Sequence, residues 1–181
     1  MKRELAAAVA IPVVLAVLFF APPAVFNVLV GGVGLAALWE FYRIAEKTGL
    51  PVAKTVGIAG GAAALSLPVL PNPPSPAAIG IALLVLTGLA AVAPLAARVD
   101  LHSALGGAAG TVFGVLSVAL PATAVGFLRL HSPRAVLFLF LIVWGCDSFA
   151  YYTGKNFGRR KLAPRVSPNK TWEGTLGGLA G

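Results

Sequence analysis

Charge is scarce in this chain, and acid is scarcest. Of 181 residues, 11% are Asp, Glu, Lys or Arg, and only six of them are acidic. Soluble domains carry about 25% charged residues, so this composition cannot cover a water-facing surface. Cysteine is nearly missing. The single Cys146 excludes an internal disulfide framework, and its apolar setting reads as a small buried side chain. Internal repeats are missing too, so sequence symmetry lends nothing to an inverted-repeat transporter.

Apolar residues are abundant, at 58% of the chain with a mean hydropathy of +0.89. So short a chain cannot hide them all in one aqueous core, and lipid is the solvent that suits them. Glycine (21) and proline (14) lie inside the apolar runs, as in transmembrane helices, rather than in a linker. A net charge of +8 raises nucleic acid as a partner. However, the basic residues are confined to short loops between apolar spans. No nucleic acid is therefore expected, and the charges read as topology signals and contacts for anionic ligands.

A helix needs about 20 apolar residues to cross the hydrocarbon. Six segments come close: Leu5–Phe20, Val25–Ile44, Val52–Leu70, Ala77–Ala97, Ala104–Leu128 and Ala135–Tyr152; a seventh begins near Trp172. Ala21-Pro22-Pro23-Ala24 is a poor signal-peptide cleavage site and a second apolar run follows at once, so the first segment reads as a retained helix. With the N-terminus inside, the inner segments hold Lys2, Arg3, Arg43, Lys47, Lys54, Arg98, Lys155, Arg159, Arg160, Lys161, Arg165 and Lys170. The outer segments hold only Arg129 and Arg134, and that asymmetry obeys the positive-inside rule. The expected fold is all-α: a polytopic transmembrane helical protein of six spans plus a truncated seventh, N-terminus cytoplasmic. It reads as one membrane domain over 1–181, with N-terminal helices over 1–130. Residues 71–76, rich in proline, read as a stiff outer turn. Gly106, Gly110 and Gly114 form a small-residue stripe suited to close helix packing, which also leaves room for a homodimer.

Two acids lie in or at the edge of apolar spans. Glu40 reads as an interfacial residue paired with Arg43. Asp147 shares a helix face with Trp144 and Tyr151, about one or two turns from the cytoplasmic surface. An unpaired carboxylate there is expensive and calls for a cation: a lysine, an arginine or a metal. Next to it lies the densest charge cluster, six basic residues and no acid from Lys155 to Lys170. Ser167-Pro168 reads as a helix start, Ser167 as N-cap and Pro168 at the first helical position. That would place Lys170 and Thr171 in a first turn facing phosphate. A carboxylate, a helix end and mobile cations together suit phosphoryl-type transfer. His102 and His131 lie in separate loops and take no role.

Trp144-Gly145-Cys146-Asp147-Ser148-Phe149-Ala150-Tyr151, then Gly154, Gly158 and Lys161-Leu162-Ala163-Pro164, then Val166-Ser167-Pro168-Asn169-Lys170-Thr171-Trp172-Glu173-Gly174, resembles the phosphatidate cytidylyltransferases, the CDP-diacylglycerol synthases. The resemblance covers about residues 141–178. It implies an enzyme that moves CMP from CTP to phosphatidate, giving CDP-diacylglycerol and pyrophosphate, at the inner (plasma) membrane with the site loop cytoplasmic. It implies magnesium, with a second cation as the alternative stoichiometry. Asp147 would help hold the metal, and Asp147 and Lys170 would be catalytic. Ser167 and Thr171 would contact nucleotide or lipid phosphate, and Lys155, Arg159, Arg160 and Lys161 would draw in both polyanions. Residues 135–181 would then be the first half of the active-site region. The family's second block, with a Lys-Asp pair, a Pro-Gly-His-Gly-Gly stretch and an Asp-Arg-x-x-Asp ending, is not found in the 181 residues. The expectation is an incomplete chain that is inactive alone. The competing readings are a transporter in which Asp147 binds a coupling ion, and a non-catalytic membrane subunit.

Overall fold

A computed structural model describes residues 2–72, 75–96, 100–165 and 167–181, which are mostly helical. Arg98, Val166 and the Pro73-Pro74 pair of the outer turn lie outside the described residues. The chain divides into two compact units, Met1–Pro133 and Arg134–Gly181.

The first unit is helical. Helix α1 spans Lys2–Phe20, with Pro12 inside it. Helix α2 spans Pro23–Lys47 and opens on Pro23, where a missing N–H costs nothing. Helix α3, Lys54–Ser66, tightens into a 3-10 turn, Leu67–Val69, around Pro68. Helix α4 is Pro76–Ala96. Helix α5, Leu101–Gly114, begins on Asp100, whose carboxylate accepts the Ser103 N–H at 3.0 Å. It runs through a π-helical turn, Val115–Ala119, into α6, Leu120–His131. The wide turn sits just before Pro121, which cannot donate and whose ring crowds the carbonyl four residues back.

All six apolar segments are therefore helical. Among the described residues, three helices are long and apolar enough to cross a membrane: Pro23–Lys47, the continuous Ser103–His131, and Pro133–Phe157 in the second unit. The all-α expectation needs one correction. Lys161–Ala163 and Ser167–Thr171 are strands β1 and β2, paired antiparallel.

The core of the first unit gathers Leu38 and Tyr42 of α2, Leu65 of α3, Leu86 of α4, and Val115 and Ala119 of the π turn. Tyr42 is fully buried, and its hydroxyl donates to the Thr111 carbonyl at 2.6 Å. Gly57 and Gly114 make room for its ring, since a Cβ on either would strike it. The stripe Gly106, Gly110, Gly114 lies against Leu50, Val52 and Tyr42 respectively within the unit. Thr111 Oγ1 accepts the Ala53 N–H at 2.8 Å and donates to the Gly107 carbonyl at 2.8 Å. This satisfies non-helical backbone that lipid could not. Elsewhere in the unit, buried Arg129 donates to the Ala21 carbonyl at 3.1 Å and Asn27 donates to the Pro68 carbonyl at 3.2 Å. Glu40 does pair with Arg43, at 3.4 Å, but both are largely exposed and such a pair contributes little. Glu46 pairs with Lys54 at 3.1 Å, and the Lys54 ammonium lies 3.9 Å from the Trp39 ring centroid.

Candidate phosphate-facing site in the second unit

The second unit is helix α7 (Pro133–Phe157), the hairpin β1–β2, and helix α8 (Trp172–Ala180). Small residues bring the two helices together. A Cβ on Gly174 would sit 2.8 Å from the Ala150 carbonyl and 3.0 Å from Gly154 Cα. One on Gly178 would sit 2.9 Å from the Cys146 carbonyl and 3.0 Å from Ala150 Cβ. Numbers rise along α8 as they fall along α7, so the helices run antiparallel. Spacing by four places each glycine over the next turn of its partner, the small-xxx-small arrangement that permits near contact of backbones. Gly158, after α7, faces the Gly154 carbonyl and lies where a Cβ would come 2.8 Å from Thr171 Cγ2.

The hairpin starts from that glycine-lined corner. Lys161 pairs with Thr171 and Ala163 with Ser167, with an irregularity between. The helix start expected at Ser167 is corrected here: Ser167–Thr171 is strand, and α8 begins at Trp172. Ser-Pro fits a strand edge as well as a helix start. Pairing with β1 settles the choice. Thr171 is the true N-cap, extended in backbone, its Oγ1 accepting the Gly174 N–H at 3.2 Å. At the observed start of α8, two first-turn amides are already engaged. Trp172 N–H goes to the Arg160 carbonyl at 3.0 Å and Gly174 N–H to Thr171.

Lys155, Arg159, Arg160, Lys161 and Lys170 are all exposed, and Ser167 is half-buried. Thr171 is 6% exposed, its oxygen committed to the cap, so of the expected phosphate contacts it alone turns inward. Lys155 Nζ lies 5.8 Å from the Tyr151 ring centroid. Asp147 is exposed on α7, and its carboxylate makes no hydrogen bond or ion pair among the described residues. Asp147, Tyr151 and Lys155 recur every four residues. Lys155 therefore stands about 12 Å of helix rise beyond Asp147. The structure gathers Arg159, Arg160, Lys161 and Lys170 at the hairpin and leaves Asp147 apart on the helix. Trp144 stacks on Phe140, centroids 5.5 Å apart.

Glu173 is the residue that sequence reasoning did not single out. Its Oε2 accepts the Arg159 N–H at 3.1 Å, and both oxygens lie 3.2 Å from the Arg160 N–H. Its own backbone N–H, then those of Arg159 and Arg160, and last the Arg160 charge hold its carboxyl below the usual carboxylate range. An acid two residues after the cap, within a first helical turn, was the available signal. Its partners, 13 and 14 residues earlier, were not readable.

The second unit holds two carboxylates, and those of Glu173 are engaged. No cluster of three or more His, Cys, Asp or Glu side chains forms among the described residues. A magnesium ion bound by one carboxylate, waters and substrate phosphates suits Asp147; a two-metal clamp of protein carboxylates does not form from these residues.

Fold and site together define a mostly helical protein with membrane-capable helices, an exposed cationic hairpin and an exposed aspartate on the helix that precedes it. The chain belongs to the cytidylyltransferase family, whose model matches residues 1–181. A phosphatidate cytidylyltransferase of Pseudomonas aeruginosa is 34% identical over 185 residues, covering 99% of this chain and 66% of the relative. That of Haemophilus influenzae is 55% identical over 49 residues, 27% of this chain and 17% of the relative. That of Brucella abortus is 43% identical over 70 residues, 37% of this chain and 26% of the relative. The chain thus spans about two thirds of the length of the Pseudomonas relative, and less of the other two. No solved structure matches it.

Proposed function

We propose that this chain supplies part of the site at which CMP passes from CTP to phosphatidate. A phosphate oxygen of phosphatidate attacks the α-phosphorus of CTP. One P–O bond forms, the bond to the β-phosphate bridge breaks, and pyrophosphate leaves. The observation that carries this reading is the exposed cluster Arg159, Arg160, Lys161 and Lys170, held on a braced hairpin beside the helix bearing Asp147, in a chain of the cytidylyltransferase family.

Both substrates are polyanions, and so is the transition state. Positioning and charge neutralisation therefore do most of the work. Lys155, Arg159, Arg160 and Lys161 attract both substrates to the surface. Lys170 and Ser167 contact phosphate oxygens, and Thr171 acts from behind by fixing the start of α8. Asp147 is the residue that would hold magnesium, which when bound neutralises charge on phosphate oxygens. The proposed setting is the inner membrane, with six spans, the N-terminus inside and the hairpin facing the cytoplasmic CTP pool. Twelve basic residues in the inner segments against two in the outer ones support that orientation.

The test is CTP binding and pyrophosphate release by detergent-solubilised protein with phosphatidate and magnesium. The reading expects CTP binding that weakens in Asp147→Asn and in Lys170→Ala. One free carboxylate cannot form a two-metal clamp, so the 181 residues alone should bind CTP without turnover. Failure of the wild type to bind CTP overturns the reading. Pyrophosphate release by these residues alone overturns the single-carboxylate expectation.

A further inference from the structure

The geometry points to Glu173 as a positioning residue that sets the basic turn Arg159–Lys161 in its anion-binding posture. This inference rests on the phosphate-facing reading above. An acid inside a cationic cluster is at first sight a liability, because it weakens the field that draws in a polyanion. Glu173, however, does not point at the guanidinium groups. Its oxygens accept two consecutive backbone amides, those of Arg159 and Arg160, at 3.1 to 3.2 Å. The same turn is fixed a second time, in the opposite sense, by the Trp172 N–H donating to the Arg160 carbonyl at 3.0 Å. Arg160 is thus held through both its N–H and its C=O by adjacent residues of the α8 start. Gly158, just before, packs closely enough on Gly154 and Thr171 that a Cβ there has no room. The outcome is a short segment with the Arg159 and Arg160 N–H groups and the Arg160 carbonyl hydrogen-bonded to the start of α8 and its three cationic side chains exposed.

Two accounts of Glu173 predict opposite signs. If it acts only through its charge, Glu173→Gln removes a repulsive acid and tightens polyanion binding. If it positions the turn, the same substitution replaces two charged acceptor oxygens by one neutral amide oxygen shared between the two N–H groups, loosens the three cations, and weakens binding. Losing one such hydrogen bond corresponds to about a three- to tenfold loss of affinity.

The experiment measures CTP binding to the full 181-residue chain in detergent, wild type against Glu173→Gln and Glu173→Asp. Positioning predicts weaker binding in both variants; in Asp the charge is kept but the reach is shortened. Equal or tighter binding in Glu173→Gln overturns it. Wild-type chain that does not bind CTP overturns the underlying functional reading instead, and the two failures are thereby separated. Should the variants fold poorly, amide hydrogen exchange on the wild type decides. The Arg159 and Arg160 amides must exchange slowly, as hydrogen-bonded groups do, and free exchange at both overturns the inference.

Discussion

Replacing Gly174 by alanine asks whether α7 and α8 are as close as the structure has them. The added Cβ would meet the Ala150 carbonyl at 2.8 Å, Gly154 Cα at 3.0 Å and Thr171 Oγ1 at 3.1 Å. Two of these neighbours are backbone, so relief requires moving a helix. Overpacking of this kind costs about 1–3 kcal/mol. Against a mid-range cost of about 2 kcal/mol, alanine returns up to about 1 kcal/mol of helix propensity, leaving a net loss of about 1–2 kcal/mol. Gly145 on α7 is the control, because a Cβ there meets nothing within 4 Å. Gly145→Ala keeps only the propensity gain, about 0.5–1 kcal/mol. Hydrogen exchange of the α8 amides in detergent reads both. Exchange should quicken about 5- to 30-fold in Gly174→Ala and stay equal or slow in Gly145→Ala. If both variants exchange like wild type, the close glycine packing is refuted.

Thr171→Val removes the N-cap acceptor and should cost α8 about 0.5–2 kcal/mol, while Thr171→Ser restores most of it; the same exchange experiment checks both. Tyr42→Phe removes the hydroxyl donor to the Thr111 carbonyl, which keeps its Val115 N–H, and should lower the stability of the first unit by about 0.5–1.5 kcal/mol, read by thermal unfolding in detergent. Glu173 gives a pH dependence with a defined sign. Its folded carboxyl lies below the ordinary 4.5, so its contribution is fully present above 4.5 and is lost as pH falls through the lower folded value. Protection of the Arg159 and Arg160 amides should be flat from neutral pH to about 4.5 and decline below it; a decline already under way near pH 6 contradicts the assignment.

Apolar run length made the helices legible. All six segments are helical, because twenty apolar residues with glycine inside have few other options next to lipid. The hairpin was not legible, because its signals are degenerate. Ser167-Pro168 and Thr171-Trp172 both satisfy the rules for a helix start. Only the pairing of Lys161–Ala163 with Ser167–Thr171 chooses between them. The site residues were legible by type and by resemblance. What braces them was not, since the Glu173 contacts with Arg159 and Arg160 depend on how the chain doubles back. The Tyr42–Thr111 bond spans 69 residues and was equally hidden. The π turn before Pro121 was overlooked because proline in an apolar run reads as tolerated, without saying how the ladder adjusts.

The most direct measurement is the sidedness of the hairpin. In a Cys146→Ala background, Asn169→Cys places a single thiol on exposed strand β2. A membrane-impermeant thiol reagent is then applied to right-side-out and to inside-out vesicles. The account predicts labelling only in inside-out vesicles, where the cytoplasmic face is presented. Labelling of right-side-out vesicles alone would place the cationic hairpin away from CTP and contradict the proposed reaction.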